Sequence, residues 1–470
     1  MPVVAQKIEI KASNKFKTYC RKAFGVSRFA YNWCVERFTK DYQQYLTEWS
    51  VYNRKLKEYS SSPLLHTQMP VKPKLPSAIG YKYKNDFNSK KEELYPFTKE
   101  VTKYASQQPF INFDRAVSAF IKAGVKGKRK KGLKDCFPKY KKKSYSSGSF
   151  YIGGDQVMVK TSVSCSRRLE NKSQKQYLKI PKFGYVQLKE KLRFEGYINS
   201  VTISQRGDRF FASFSIEISQ EEFDRTHKAA VQNKTAVGID LGLKSALVLS
   251  DGMAIKAPKP LKKSLLRLKR LQRQLNRKNH PRTKGDKTKV SKNYIKQSKR
   301  LNKLYLRIHN IREDFIHKVT TALVRNYEYI CLEDLNVKGM MRNHHLARAI
   351  SDIGFYRFKS VLMYKALNFN RTVVVADRFY PSSKTCSRCG AIKENLTLKD
   401  RVYECKNCGA VIDRDLNAAV NLKNQIKEKI GRANPELTPV ELTALQDCFN
   451  QNNLATSSVE TGIRLKDYNY

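Results

Sequence analysis

Two pairs of cysteines constrain this 470-residue chain more than any other feature. Cys386-Ser-Arg-Cys389-Gly and Cys405-Lys-Asn-Cys408-Gly each carry two thiols separated by two residues and end on a glycine, with 15 residues between the pairs. Four soft ligands in two such knuckles can close a tetrahedron around zinc and leave no position for water. The spacing therefore predicts a structural rather than a catalytic metal site, in a small ribbon that interrupts the chain at residues 381–410. Cys20, Cys34, Cys136, Cys165, Cys331 and Cys448 are scattered singly, which fits reduced residues of an intracellular protein rather than a disulfide framework.

Charge narrows the partners. The chain has 92 Lys plus Arg against 41 Asp plus Glu, a formal net charge of +51. That excess repels itself in a compact state unless a polyanion neutralises it. Nucleic acid is the first candidate, and an acidic membrane surface the weaker one. A hydrophobic content of 40%, with 26 Tyr and 23 Phe, can fill real cores and excludes wholesale disorder. The length predicts roughly two to four domains. No stretch approaches the roughly 18 apolar residues of a membrane span, and the N-terminal MPVVAQKIEIKASNK lacks an apolar signal core. The expected setting is the cytoplasm, in association with the nucleoid.

Periodicity divides the chain. A strand is expected around Val3–Ile10, then a helix with Phe24, Phe29, Trp33 and Phe38 on one side. Residues 51–110 are punctuated by proline and predict loops between short helices, and a helix resumes at Phe110–Lys122. Residues 122–143 hold 11 Lys or Arg and one acid. Residues 150–220 alternate apolar and polar residues between turn signals and predict a β-rich module. From AVGIDLGLKSALVLSDG onward the pattern turns α/β, with two strands joined by a Gly-containing turn. Residues 261–300 carry 16 Lys or Arg against Asp286 alone, while Leu265, Leu268, Leu271 and Leu275 keep an apolar stripe; they predict one basic amphipathic helix, which could equally be a solvated face. Ile311, Phe315, Val319 and Leu323 mark a helix, YICL a strand, Phe355, Phe358 and Leu362 another helix, and RTVVVA a third strand. DLNAAVNLKNQIKEKI is the last helix, and residues 432–470 read as a flexible polar tail.

Three acids stand at the ends of these elements. Asp240 sits inside an apolar strand, where an acid is costly unless it serves something. Glu333 closes the strand YICL, with Asp334 beside it, and Asp415 opens the last helix after Asp413 and Arg414. Singly, Asp415 reads as a helix N-terminal residue and Glu333 as a solvent-facing strand end. Together, hard carboxylates converging at the mouth of a sheet can hold two Mg²⁺ ions, one activating a water and one stabilising the departing 3′ oxygen of a phosphodiester. A strongly basic protein with such a cluster would be a nuclease.

GIDLGLKSALVLSDG, RLKRLQRQLNRK, REDFIHKVTTALV leading to CLEDLNVKGM, FYPSSKTCSRCG and CKNCGAVIDRDLNAAVNL together resemble the TnpB family, RNA-guided endonucleases of insertion sequences that are similar to miniature type V CRISPR effectors. VSRFAYNWCVERF is similar to the family's opening helix. The resemblance implies a multidomain α/β plus β chain: an RNase H-like RuvC nuclease domain (residues 235–380 and 411–432) with an inserted four-cysteine zinc ribbon (381–410), a β-barrel wedge domain (1–12 and 150–222), a helical recognition domain (13–149) and a flexible tail (433–470). It implies Asp240, Glu333 and Asp415 as catalytic Mg²⁺ ligands, with Asp413 the rival for the third place, and Cys386, Cys389, Cys405 and Cys408 as structural Zn²⁺ ligands. Lys128, Arg129, Lys130, Lys131, Lys141 and Lys142, with Arg267, Lys269, Arg270, Arg273, Arg277 and Lys278, would contact phosphates, positioning without specifying. The implied partners are a guide RNA from the transposon end and a double-stranded DNA target, bound by a monomer with no membrane. Base pairing would supply most specificity, and a short flanking DNA motif would be read by the protein. A CRISPR effector is the near alternative. A nuclease-dead repressor is disfavoured by the presence of all three acids, and a zinc-ribbon DNA binder without RNA is the reading from another class.

Overall fold

The computed structural model describes residues 1–61, 69–76, 80–125, 137–143, 147–164, 173–227, 234–283, 286, 288–397 and 400–432. They form two compact units, Met1–Gln220 and a second beginning at Glu221. Among the described residues no helix is long and apolar enough to cross a membrane. The expected tail at 433–470 lies outside the described residues.

In the first unit, β1 (Val3–Ile10) alternates outward and inward side chains, burying Val4, Gln6, Ile8 and Ile10. That period of two marks a strand with one face on a core. Its partner is distant in sequence: Val3 pairs with Glu217 and Ile10 with Phe210. Between them come β2 (Ser147–Gly153), β3 (Met158–Ser164), β4 (Ser173–Ile180), β5 (Gly184–Gln187), β6 (Tyr197–Arg206) and β7 (Arg209–Glu217). One antiparallel sheet runs β1-β7-β6-β2 and a second runs β3-β4-β5.

The helices of this unit correct one expectation. Residues 51–61 are not loop: α1 runs unbroken from Asn14 to Ser61. The prolines that suggested loops begin only at Pro63, and the residue before a proline is pushed out of the helical region. Along α1 the rings of Tyr42, Tyr45, Trp49 and Tyr52 contact in succession, with centroids 6.0, 5.9 and 5.6 Å apart. Such i, i+3 and i, i+4 contacts support a helix where little else covers it. α2 (Gly80–Leu94) and α3 (Lys103–Val125) follow, the latter longer than the expected Phe110–Lys122 and tolerating Pro109 inside it. Phe38, Phe87, Phe110 and Phe113, all within 2% exposure, centre an aromatic core among these three helices.

After α4 (Gln220–Thr226), the second unit is built on a five-stranded sheet. Its strands are β8 (Lys234–Asp240), β9 (Leu247–Leu249), β10 (Ala254–Ile255), β11 (Tyr327–Leu332) and β12 (Thr372–Val375), in the order β10-β9-β8-β11-β12. β8, β11 and β12 are parallel, and β9 and β10 extend the sheet antiparallel. The expected single basic helix is two helices, α5 (Pro260–Asn276) and α6 (Lys292–Asn326). The turn between them contains Pro281, which the leucine stripe conceals. α7 (Val337–Met340), α8 (His344–Ile353) and α9 (Phe355–Asn368) precede β12, and α10 (Arg414–Arg432) follows the ribbon strands β13 (Val402–Glu404) and β14 (Val411–Asp413).

Strand alternation sorts the sheet into two faces. Val237, Ile239, Ile330 and Leu332 enter the core formed with α6, α8 and α9. Ala236 and Cys331 point the other way, against Leu422 and Ile426 of α10. Gly238 lies on that second face, and a Cβ there would sit 2.0 Å from the Ala419 carbonyl oxygen and 2.3 Å from the Lys423 nitrogen. Only glycine lets α10 lie this close to β8.

Candidate functional site

On the face covered by α10 the acids come near one another. Asp240 follows Gly238 by two residues and so shares its face. Cys331 is in register with Gly238 and Leu332 with Ile239, which brings Glu333, one residue beyond β11, level with Asp240 at the same end of two adjacent parallel strands. Asp415 lies in the first turn of α10, the helix packed on that face. The end of a parallel sheet, where strands stop and a crossing helix begins, is a natural place for a polar cleft.

The electrostatics follow from this packing. Asp240 is only 9% exposed. Burial, and then the negative charges of Glu333 and Asp415, push its carboxyl up to about 8. Burial also raises Glu333, partly offset by Ser382, whose hydroxyl donates a 2.6 Å hydrogen bond to Glu333 Oε1. Crowded carboxylates at a half-buried site suit a hard divalent cation, whose charge would offset the penalty on Asp240 and Glu333.

Two neighbouring acids have other partners. Asp413 accepts the backbone N–H groups of Asp415 and Leu416, at 3.0 and 3.1 Å, and so caps α10. Asp334 accepts from Lys359 at 3.0 Å and from Arg378 at 2.6 Å, and these bonds hold it below the usual carboxylate range.

The four thiols of the ribbon come together beside α10. Cys386 and Cys408 are 3.7 Å apart at sulfur, Cys389 and Cys405 are 3.5 Å apart, and all four sulfurs lie within 4.8 Å of one another. A zinc ion with Zn–S bonds of about 2.3 Å requires sulfurs about 3.8 Å apart, whereas a disulfide requires about 2.05 Å. The donor set and spacing therefore fit a tetrahedral metal. The Ala391 backbone N–H and the Asn407 amide lower the Cys389 thiol to about 6, favouring the thiolate a metal needs. The glycines of the knuckles, Gly390 and Gly409, have φ of 76° and 67°, and each returns its N–H to the first cysteine of its pair. Of the other cysteines, Cys20, Cys34 and Cys331 are buried and unbridged.

The basic residues divide. Lys128, Arg129, Lys130 and Lys131 lie outside the described residues. Lys141 is held against α1: its backbone exchanges hydrogen bonds with the Asn32 side chain at 2.7 and 3.0 Å, and its ammonium sits 3.9 Å from the Tyr31 ring centre. Lys142 is exposed. Arg267, Lys269, Arg270 and Arg273 on α5, with Arg277 and Lys278 just past it, are all exposed, while Leu268 and Leu275 pack inward against α6.

Sequence reasoning passed over Ser382, Asn417 and Asn421. The available signal was Asn417, Asn421 and Gln425 at i, i+4 and i+8, a polar stripe that is fully buried on a helix otherwise packed through Ala418, Leu422 and Ile426.

Comparison with known proteins matches three segments in chain order. Residues 4–46 match a family described as a helix-turn-helix domain of IS605 OrfB, here nearly all of β1 and the first two-thirds of α1. Residues 213–344 match the IS605 OrfB family described as a probable transposase, and residues 355–422 the Cas12f1-like TNB domain. A Streptomyces pristinaespiralis protein named "Putative RNA-guided DNA endonuclease" is 39% identical over 224 residues, 47% of this chain and 52% of that one. InsQ of Escherichia coli K12, given the same name, is 28% identical over 331 residues, 67% of this chain and 72% of that one. The chain thus spans about half the length of the first relative and more of the second. Among solved structures, the mini RNA-guided endonuclease CRISPR-Cas_phi3 is similar at 12% identity and a TM-score of 0.45, over 90% of this chain and 92% of that one. In one mixed α/β chain that carries a four-cysteine cluster, three segments in order are thus similar to the IS605 OrfB families and the Cas12f1-like TNB domain.

Proposed function

We propose that this chain is an RNA-guided DNA endonuclease of an insertion-sequence element, hydrolysing phosphodiesters of double-stranded DNA at a single carboxylate site. The observation that supports the reading is that Glu333 and Asp415 lie near enough to Asp240, at one end of the parallel strands, to raise its carboxyl, in a chain with an exposed basic helix face and relatives named for that activity. In this reading the second unit supplies the RuvC nuclease domain, residues 381–410 the zinc ribbon, and the first unit the wedge and recognition domains.

Asp240, Glu333 and Asp415 would hold Mg²⁺, which when bound would neutralise charge at the phosphate and lower the pKa of a water. The chain's own residues do the rest. Ser382 orients Glu333 through its hydroxyl. Asp413 fixes the first turn of α10 and with it the direction of Asp415. Cys386, Cys389, Cys405 and Cys408 would hold Zn²⁺, bracing the ribbon. The basic face of α5 binds phosphates of guide or target without reading bases, so affinity there falls steeply with salt.

The test uses the chain purified with its own RNA. Asp240→Ala is expected to abolish Mg²⁺-dependent cleavage of DNA matching that RNA while RNA binding stays intact. Undiminished cleavage by that variant would overturn the assignment.

A further inference from the structure

The ribbon and the carboxylate site are joined by a chain of buried hydrogen bonds that runs through two asparagines of α10. Asn417, fully buried, donates from Nδ2 to the Thr385 carbonyl at 2.7 Å and accepts the Ser387 N–H at Oδ1 at 2.9 Å. One side-chain amide thereby brackets Cys386 on both sides. Asn421, one turn on and 2% exposed, donates to the Ser382 carbonyl at 2.8 Å and to the same Thr385 carbonyl at 2.6 Å. Ser382 passes the connection to Glu333 Oε1 through its hydroxyl. Asn417 itself lies two residues after Asp415 on the same helix.

A buried side-chain amide with its groups satisfied on one loop is costly to move, because leaving even one donor unpaired costs about 1–3 kcal/mol. The loop at 382–387 and α10 therefore shift together or not at all. We infer that Asn417 and Asn421 are positioning residues that couple the four-cysteine ribbon to the carboxylate site, so that an empty ribbon lowers the affinity of the carboxylates for their cation. This rests on the carboxylate reading above. It gives the ribbon a task beyond bracing its own fold, since zinc would hold Cys386, Asn417 bonds the residues on either side of it, and Asn421 holds Ser382, which bonds Glu333.

The experiment measures Mn²⁺ binding to the full chain by titration calorimetry, with zinc content by elemental analysis. Asn417→Ala, Asn421→Ala and Ser382→Ala are expected to keep one zinc per chain yet weaken Mn²⁺ roughly 10–100-fold, the effect of losing a partner that orients a ligand. Ser382→Thr, which keeps the hydroxyl, should restore it. Stripping zinc from the unaltered chain should weaken Mn²⁺ by a similar factor, and stripping it from the Asn417→Ala, Asn421→Ala double variant should add little. Normal Mn²⁺ affinity in the zinc-loaded variants overturns the coupling, as does zinc stripping that weakens Mn²⁺ equally with and without the asparagines. Ser382→Ala removes one hydroxyl only and decides the case if the asparagine variants do not fold. Asp240→Asn separates the two readings: lost Mn²⁺ binding there with normal binding in the asparagine variants refutes the coupling alone, whereas unchanged binding in Asp240→Asn refutes the carboxylate site itself and the coupling with it.

Discussion

Replacing Asp352 with alanine should unseat the N-terminus of the basic helix α5. That helix begins at Pro260 behind Lys259, which has a left-handed φ of 47° and no capping side chain. The cap arrives from α8 instead: Asp352, 4% exposed, accepts the backbone N–H groups of Leu261 and Lys262, each at 3.0 Å. It also accepts from Arg312 of α6 at 3.2 Å, and its carbonyl takes the Arg312 Nε–H at 3.0 Å. Losing the cap costs about 1 kcal/mol for each of the two orphaned donors. The stranded guanidinium adds about 1–2 kcal/mol, less than for a fully buried pair because the Arg312 side chain is 22% exposed. The total is about 3–4 kcal/mol, equivalent to a fall of roughly 6–16 °C in the melting of a unit this size. The assay is thermal unfolding combined with hydrogen exchange over residues 259–268, where protection should fall first. Asp352→Asn, which keeps an acceptor oxygen but not the charge, should lose about half as much. A shift under about 0.5 kcal/mol with unchanged exchange at the start of α5 would refute the reasoning, because that is the scatter of surface substitutions with no structural role.

Gly238→Ala should detach α10 from β8 and lower stability by more than about 3 kcal/mol in thermal unfolding, since its Cβ would meet backbone rather than a yielding side chain; a shift under about 1 kcal/mol would refute that close approach. Cys386→Ser should release the zinc and lower the melting temperature, and unchanged metal content by elemental analysis would show that the four thiols are not a site. Lys365, 9% exposed, donates to the His317 carbonyl and the Thr320 and Thr321 hydroxyls, yet burial, and then Arg325 and Arg357, lower its ammonium from 10.5 to about 8. The unfolded chain therefore binds more protons between about pH 8 and 10.5, so unfolding free energy should rise by about 3 kcal/mol across that window and be insensitive to this group below it. Lys365→Met should flatten that slope in denaturant titrations at several pH values, and an unchanged slope would exclude Lys365 as its source.

Features that depend on near neighbours were legible in the residues alone. Two thiols separated by two residues with a following glycine, repeated once, favour a pair of metal knuckles, and the structure has the four sulfurs within 4.8 Å. The alternation of Val3–Ile10 announced a strand with one buried face. The carboxylates are the opposite case. Asp240, Glu333 and Asp415 could be picked out because each stands at the end or start of an element, but nothing local says that Cys331 pairs with Gly238, which is what sets Glu333 level with Asp240. Asp415 was preferred to Asp413 only through the family resemblance, and the structure adds that Asp413 is taken up by two backbone donors at the start of α10.

Other properties belong to tertiary structure entirely. A helix cap normally comes from the residue before the helix, so Asp352 capping α5 from about ninety residues downstream has no signature in the segment it serves. The stripe of Asn417, Asn421 and Gln425 was visible as helical spacing, but whether such a stripe meets water or a buried loop depends on what packs against it, and here it meets the loop leading into the ribbon. Sequence by itself determined most of the elements and the thiol pairs and marked the acids as candidates, because those rest on local spacing and on the cost of burying charge. Register and helix crossing decided which of those groups meet, because contacts between residues far apart in the chain are set by the packing of whole faces.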